Sequence, residues 1–150
     1  MRRIVTCVWV LAIGFAPAPL PRPDRGRGDP DRADLAAMQG RWSLTFRSRG
    51  KEAVKGRDWS LVVSGARMQC FFSDGNLAVE FAVNLDARAR PKAMDLLRLD
   101  DQTVWKGTYS LRGDKLILTF ALMGPDREKR PAACEPGPDR QYEVYERVRP

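Results

Sequence analysis

Residues 107–121 read G-T-Y-S-L-R-G-D-K-L-I-L-T-F-A. Tyr109 and Leu111 lead into Arg112-Gly113-Asp114, and Leu116, Leu118 and Phe120 then recur at every second position. Alternation on both sides of a Gly-Asp turn predicts a β-hairpin with one buried face. A lone hairpin is marginal in water, so other strands must cover that face.

The rest of the chain supplies them. Trp42, Leu44 and Phe46 alternate with Ser43, Thr45 and Arg47, and a polar connection at Arg49-Gly50-Lys51-Glu52 follows. Trp59, Leu61 and Val63 make a second strand that stops at Ser64-Gly65, and Met68, Cys70 and Phe72 make a third before the Asp74-Gly75-Asn76 turn. Residues 77–85 form the cleanest alternation, with Leu77, Val79, Phe81, Val83 and Leu85 on one side. Residues 92–99 predict a fifth strand, although Leu96-Leu97 leaves its facing open. The hairpin contributes two more, and residues 141–147, with Tyr142 and Val144 on one side, the last. Eight short strands punctuated by turns point to an all-β sandwich or barrel. Closing eight antiparallel strands into a barrel leaves no exposed edge.

Ahead of the strands lie three different compositions. Met1-Arg2-Arg3 is a short positive segment, and residues 4–16 are predominantly apolar. That run is shorter than the roughly 20 residues of a membrane span but suits a signal-peptide core, with Ala16-Pro17-Ala18 as the small-x-small site. The expectation is a signal peptide over 1–18, hence export to the periplasm, cell envelope or exterior, and no integral membrane span in the mature chain. Cys7 lies inside the apolar run without a lipobox. Residues 19–33 are rich in Pro, Arg, Gly and Asp and read as a linker, because they bury too little to offset their ordering entropy. The folded domain is expected over 34–150. A short helix over 31–40, capped by Asp31 or Asp34 and stopped at Gly40, would put Leu35 and Met38 on one face, able to close one end of a barrel.

Charge narrows the partners. The chain carries a formal +7, but Arg2, Arg3 and Arg22 precede Asp24 while all 19 acids lie at or after it, which leaves +4 for the remainder. Those charges are interspersed rather than clustered, so no nucleic-acid partner is expected. With no histidine in the chain, Ser-His-Asp and Cys-His catalysis and histidine-ligated metals are excluded.

The order of motifs adds a family resemblance. Gln39-Gly40-Arg41-Trp42 gives a G-x-W at the first strand, directly after the short helix. Arg90-Pro91-Lys92-Ala93-Met94-Asp95-Leu96, the 107–121 hairpin, Arg130-Pro131 and the closing 142–147 strand follow in order. Together they resemble a lipocalin-like family of small exported domains, expanded in planctomycetes, whose function is not established. The resemblance covers residues 34–149 and implies a lipocalin-like eight-stranded antiparallel barrel with a short N-terminal helix. It also implies a barrel-closing pair, Trp42 beneath Arg147 from the last strand, and carries no catalytic residues. The chain departs from the family pattern at Ala132-Ala133-Cys134.

The candidate chemistry is then small. Trp42, Trp59, Phe81, Trp105 and Tyr109 are the candidate ligand-binding residues, as walls for a small apolar ligand. So many large rings on short strands favour the alternative, a barrel filled by its own side chains. Cys70 and Cys134 form a candidate disulfide in an oxidising setting; Cys70 as a buried thiol is the alternative. Asp95, Asp100, Asp101, Asp126, Glu128 and Glu135 show no spacing that converges two carboxylates, so no enzyme, cofactor or metal is expected. Asp74-Gly75-Asn76 lacks the further ligands of a calcium loop and reads as a turn. Arg47, Arg49, Lys51, Lys55 and Arg57 could guide an anionic ligand to a barrel rim. With the loop over 123–139 they make the second reading, an envelope module that binds an anionic polymer or protein.

Overall fold

The structure is a computed structural model that describes residues 28–54, 59–122 and 129–149. The expected signal peptide, the linker up to residue 27, Lys55, Arg57, Asp126 and Glu128 lie outside the described residues. Helix α1 (Pro30–Met38) comes first, followed by β1 (Gly40–Arg49), β2 (Glu52–Val54), β3 (Trp59–Ser64), β4 (Arg67–Phe72) and β5 (Leu77–Asp86). Strands β6 (Ala93–Arg98), β7 (Val104–Arg112), β8 (Lys115–Ala121) and β9 (Arg140–Arg147) complete the chain.

Every neighbouring pair is antiparallel, in the order β1-β3-β4-β5-β6-β7-β8-β9, and β9 returns to pair with β1. The result is a closed eight-stranded lipocalin-like barrel. The expected hairpin is β7–β8, in register from Gly107↔Phe120 to Arg112↔Lys115, and β8–β9 and β9–β1 close the circle beside it. The extra segment, β2, occupies the connection expected to be irregular. Gly50 takes a positive φ of 63°, which permits a tight Gly50-Lys51 turn and the pairing Arg49↔Glu52.

The buried faces of the strands build the core inside the barrel. Leu61, Val63, Met68, Phe81, Leu85, Met94, Leu116 and Leu118 form the body of the core. Leu96 is buried in it and Leu97 is only half-buried, which settles the facing of β6. Tyr142, by contrast, pairs with outward Ser48 and packs outside, while Glu143 and Tyr145 are the buried residues of β9.

Helix α1 closes one end. It begins at Pro30, one residue ahead of the expected start and inside the segment expected as linker: Asp29 is its N-cap and Pro30 supplies the first turn. Asp31 and Asp34, expected as caps, are used elsewhere. Asp31 Oδ1 accepts the backbone N–H of Ala87 at 2.6 Å, and Asp34 Oδ2 accepts Lys92 Nζ at 2.6 Å and the Tyr109 hydroxyl at 2.7 Å. Met38 is fully buried and Leu35 packs against the core. Gln39 caps the helix while its side-chain amide exchanges hydrogen bonds with Gly65, pinning the β3–β4 turn. Gly40, at φ +111°, turns the chain into β1. No helix among the described residues is long and apolar enough to cross a membrane.

Candidate functional site

Trp42 and Arg147 seal the helix end of the barrel. They are register partners across β1 and β9, with the guanidinium carbon 4.2 Å from the indole centroid. Arg147 also donates to the carbonyls of Ala37 and Gln39 at 2.6 Å each, and to Asp114. The Trp42 indole N–H donates to the Met38 carbonyl at 2.8 Å. One pair therefore joins both chain ends to the helix.

The opposite end is open. A cavity of about 440 Å³ runs inward from it, within the usual size range of small-molecule sites. The barrel is thus not filled by its own side chains. Of the five candidate ligand-binding residues, Trp59, Phe81 and Trp105 line this cavity. Phe81, Trp105 and Phe120 make a continuous aromatic wall, with centroids 5.3 and 6.1 Å apart. Trp42 and Tyr109 do not line it. Both lie at the closed end, Trp42 under Arg147 and Tyr109 bonded to Asp34, so their bulk leaves the other end vacant.

One irregularity decides the chemistry of this cavity. β1 pairs with β9 as Leu44↔Tyr145 and then Phe46↔Val144, so Thr45 is an extra residue, a β-bulge. Its hydroxyl donates to the Val144 carbonyl at 3.1 Å. The bulge resets the alternation. Phe46, expected inside with Trp42 and Leu44, turns outward and packs edge-on against Tyr142 at 6.2 Å. Arg47 and Arg49, expected to face solvent, line the cavity instead, opposite Glu143 and Gln141.

Glu143 is the buried anion of this wall. Its Oε1 accepts Arg47 Nη2 at 2.7 Å, Arg47 Nε at 2.8 Å and Gln141 Nε2 at 2.8 Å, and its Oε2 accepts the Tyr145 hydroxyl at 2.8 Å. Arg47 also stacks over Trp59, 5.1 Å from the ring centroid. Burial opposes the Arg47 charge, but the Glu143 carboxylate and the Tyr145 hydroxyl outweigh it and raise its pKa. Burial raises the Tyr145 hydroxyl well above its ordinary range, and Glu143 adds to the effect. Burial, and Glu143 second, push the Cys70 thiol up to about 12, so at neutral pH it is an inert wall atom.

The other candidates are dispersed. Cys70 and Cys134 are both free thiols, so the expected disulfide does not form. The barrel wall separates them: Cys70 faces the cavity, whereas Cys134 Sγ lies 3.6 Å from Thr119 Oγ1 and 3.9 Å from the Ile117 carbonyl on the outer side of β8. Asp95 pairs with Arg130, which also donates to the Met94 and Gly107 carbonyls and ties the β8–β9 connection to the outer wall. Asp100 and Asp101 both pair with Arg98, and Glu135 meets Arg140 at 3.9 Å. Asp74 accepts both the backbone and side-chain N–H of Asn76, as a turn residue does. No metal-holding cluster occurs among the described residues.

The sequence pattern puts Arg49 at a barrel rim rather than in the cavity wall, and it does not single out Gln141 or Glu143. The one available signal was the charged Glu143 inside the Tyr142–Val144 alternation, which marks a strand facing something polar on one side. Fold and site together define a small lipocalin-like barrel with one open, apolar-walled cavity and a charged strip on one wall. Compared with known proteins, the chain matches no family model, no curated protein and no solved structure.

Proposed function

We propose that this chain is an exported, non-catalytic lipocalin-like domain that holds a small apolar ligand in its barrel, and that its kinship lies with the lipocalin-like exported family it resembles. The observation that carries this reading is the cavity of about 440 Å³, walled by Trp59, Leu61, Phe81, Leu96, Trp105 and Phe120 and open at one end. A cavity of that composition gains free energy from an apolar guest in proportion to the area it removes from water. The neutral Cys70 thiol and the saturated Glu143 carboxylate support a holding role over a chemical one. The n-region, apolar core and Ala16-Pro17-Ala18 support export.

The test is a fluorescence titration of the full chain with phenylnaphthylamine, a neutral apolar dye, displaced by decanol. Saturable binding at micromolar dye that decanol reverses supports the reading. Dye that stays dark, or that decanol leaves in place, overturns it. The envelope-polymer reading has less support, because Arg47, the first residue of its basic rim, is committed to Glu143 inside the barrel.

A further inference from the structure

The cavity has a polar strip, and its charge is one-sided. Glu143 supplies the strip's only carboxylate among the described residues lining it, and both its oxygens are occupied by Arg47, Gln141 and Tyr145. A cationic guest would have to compete with Arg47 for that carboxylate. The arginines are different. Arg47 spends Nε and Nη2 on Glu143, and the Tyr145 side chain engages it as well. Arg49 lines the same cavity nearer the mouth, and no ion pair or side-chain hydrogen bond engages its guanidinium among the described residues. The strip therefore carries a net charge of one positive unit, with the Arg49 guanidinium as its uncommitted donor among the described residues.

We propose that the cavity takes a small single-headed organic anion, its apolar body against the aromatic wall and its anionic group on Arg49. This rests on the ligand-holding reading and names the class of ligand. Arginine suits the task because its planar fork meets a carboxylate with two parallel N–H bonds. The position suits it as well. The guanidinium of Arg47, held in place by Glu143 and Trp59, adds a fixed positive charge to the same wall. Without the Thr45 bulge between Leu44 and Phe46, Arg47 and Arg49 would stand on the outer face, and the cavity wall would lose both its positive charges.

Two dyes that share a body isolate the anionic group. Anilinonaphthalene sulfonate is phenylnaphthylamine with a sulfonate added, so their affinity ratio for the full chain reports the head alone. The expected result is about ten-fold tighter binding of the sulfonate, the usual worth of one charge-assisted hydrogen bond. Decanoate should displace it more effectively than decanol. Arg49→Ala should erase the sulfonate's advantage while shifting phenylnaphthylamine affinity far less, whereas Arg112→Ala, beyond the opposite end of the barrel, should leave both dyes as they were. Val79→Trp, which fills the cavity, should weaken both. Equal affinities for the two dyes, or equal losses in Arg49→Ala and Arg112→Ala, would overturn the anion proposal while the apolar pocket stands. Failure of both dyes to bind, or indifference of both to Val79→Trp, would overturn the pocket reading and the proposal with it. Melting curves of each variant establish that it is folded before it is titrated.

Discussion

Cys70 is 5% exposed inside the barrel, and its ionisation is coupled to folding. Burial and the nearby Glu143 raise its pKa from an ordinary 9.0 to about 12. A group whose pKa is raised on folding favours the folded state fully below its unfolded value, and that contribution is lost as pH rises through the folded one. Stability in urea is therefore expected to fall as pH climbs from 9 towards 12, and Cys70→Ala should flatten the first part of that fall. Tyr145, also raised by burial, continues the decline from its ordinary value of 10.0 upward, so the variant does not abolish it. The same burial predicts chemical inertness. At pH 8 without reductant, iodoacetamide should leave Cys70 untouched in the folded chain and modify both Cys70 and Cys134 in urea. Mass spectrometry reads the result, and a pair still unmodified in urea would mean that a bridge joins them after all.

At the scale of an element, the β7–β8 hairpin depends on an absence. A Cβ built at Gly107 would lie 2.4 Å from the Phe120 ring and 2.8 Å from the Thr119 carbonyl. The glycine exists to let Phe120 lie flat across its register partner, where the ring also walls the cavity. Gly107→Ala is therefore expected to cost about 2 kcal/mol by overpacking. It should also weaken phenylnaphthylamine binding, because the displaced ring has only the cavity to move into. Phe120→Leu in the Gly107→Ala background should recover part of the stability, as measured by urea unfolding. The hairpin itself was legible in residues 107–121, since one buried face needs only a period of two. The Thr45 bulge was not, because Trp42, Leu44 and Phe46 continue the same alternation through it. Its cause is non-local: the β9 partners Val144 and Tyr145 lie about a hundred residues away, and only their register shows that Thr45 has no opposite number. The same remoteness hid Arg49, Gln141 and Glu143 as neighbours, whereas Trp59, Phe81 and Trp105 were readable as inward rings.

For the molecule as a whole, the two ends of the barrel do different work. The helix end collects Trp42, Met38, Tyr109 and Arg147 into a plug, and the other end keeps the space their rings do not fill. That division was half legible: the helix followed by Gly40-Arg41-Trp42 implied the plug and its partner Arg147, but nothing local shows at which end a ring will lie. Arg147 is the residue on which the plug can be tested. It stacks on Trp42, donates to the carbonyls of Ala37 in α1 and of its cap Gln39, and reaches Asp114. Arg147→Met keeps much of the side-chain bulk but removes those donors and leaves the Ala37 and Gln39 carbonyls without them. The expected loss is about 2 kcal/mol, the sum of one cation–π contact and partly exposed hydrogen bonds. Arg147→Lys should recover little, because an ammonium lacks the planar fork that spans both carbonyls over the indole. Phenylnaphthylamine affinity should stay within experimental error in both variants, since neither touches the cavity wall. If dye affinity falls in step with stability, plug and cavity form one cooperative unit, and the division of labour between the ends is refuted. If stability falls alone, the helix end holds the barrel shut and the open end is left to the ligand.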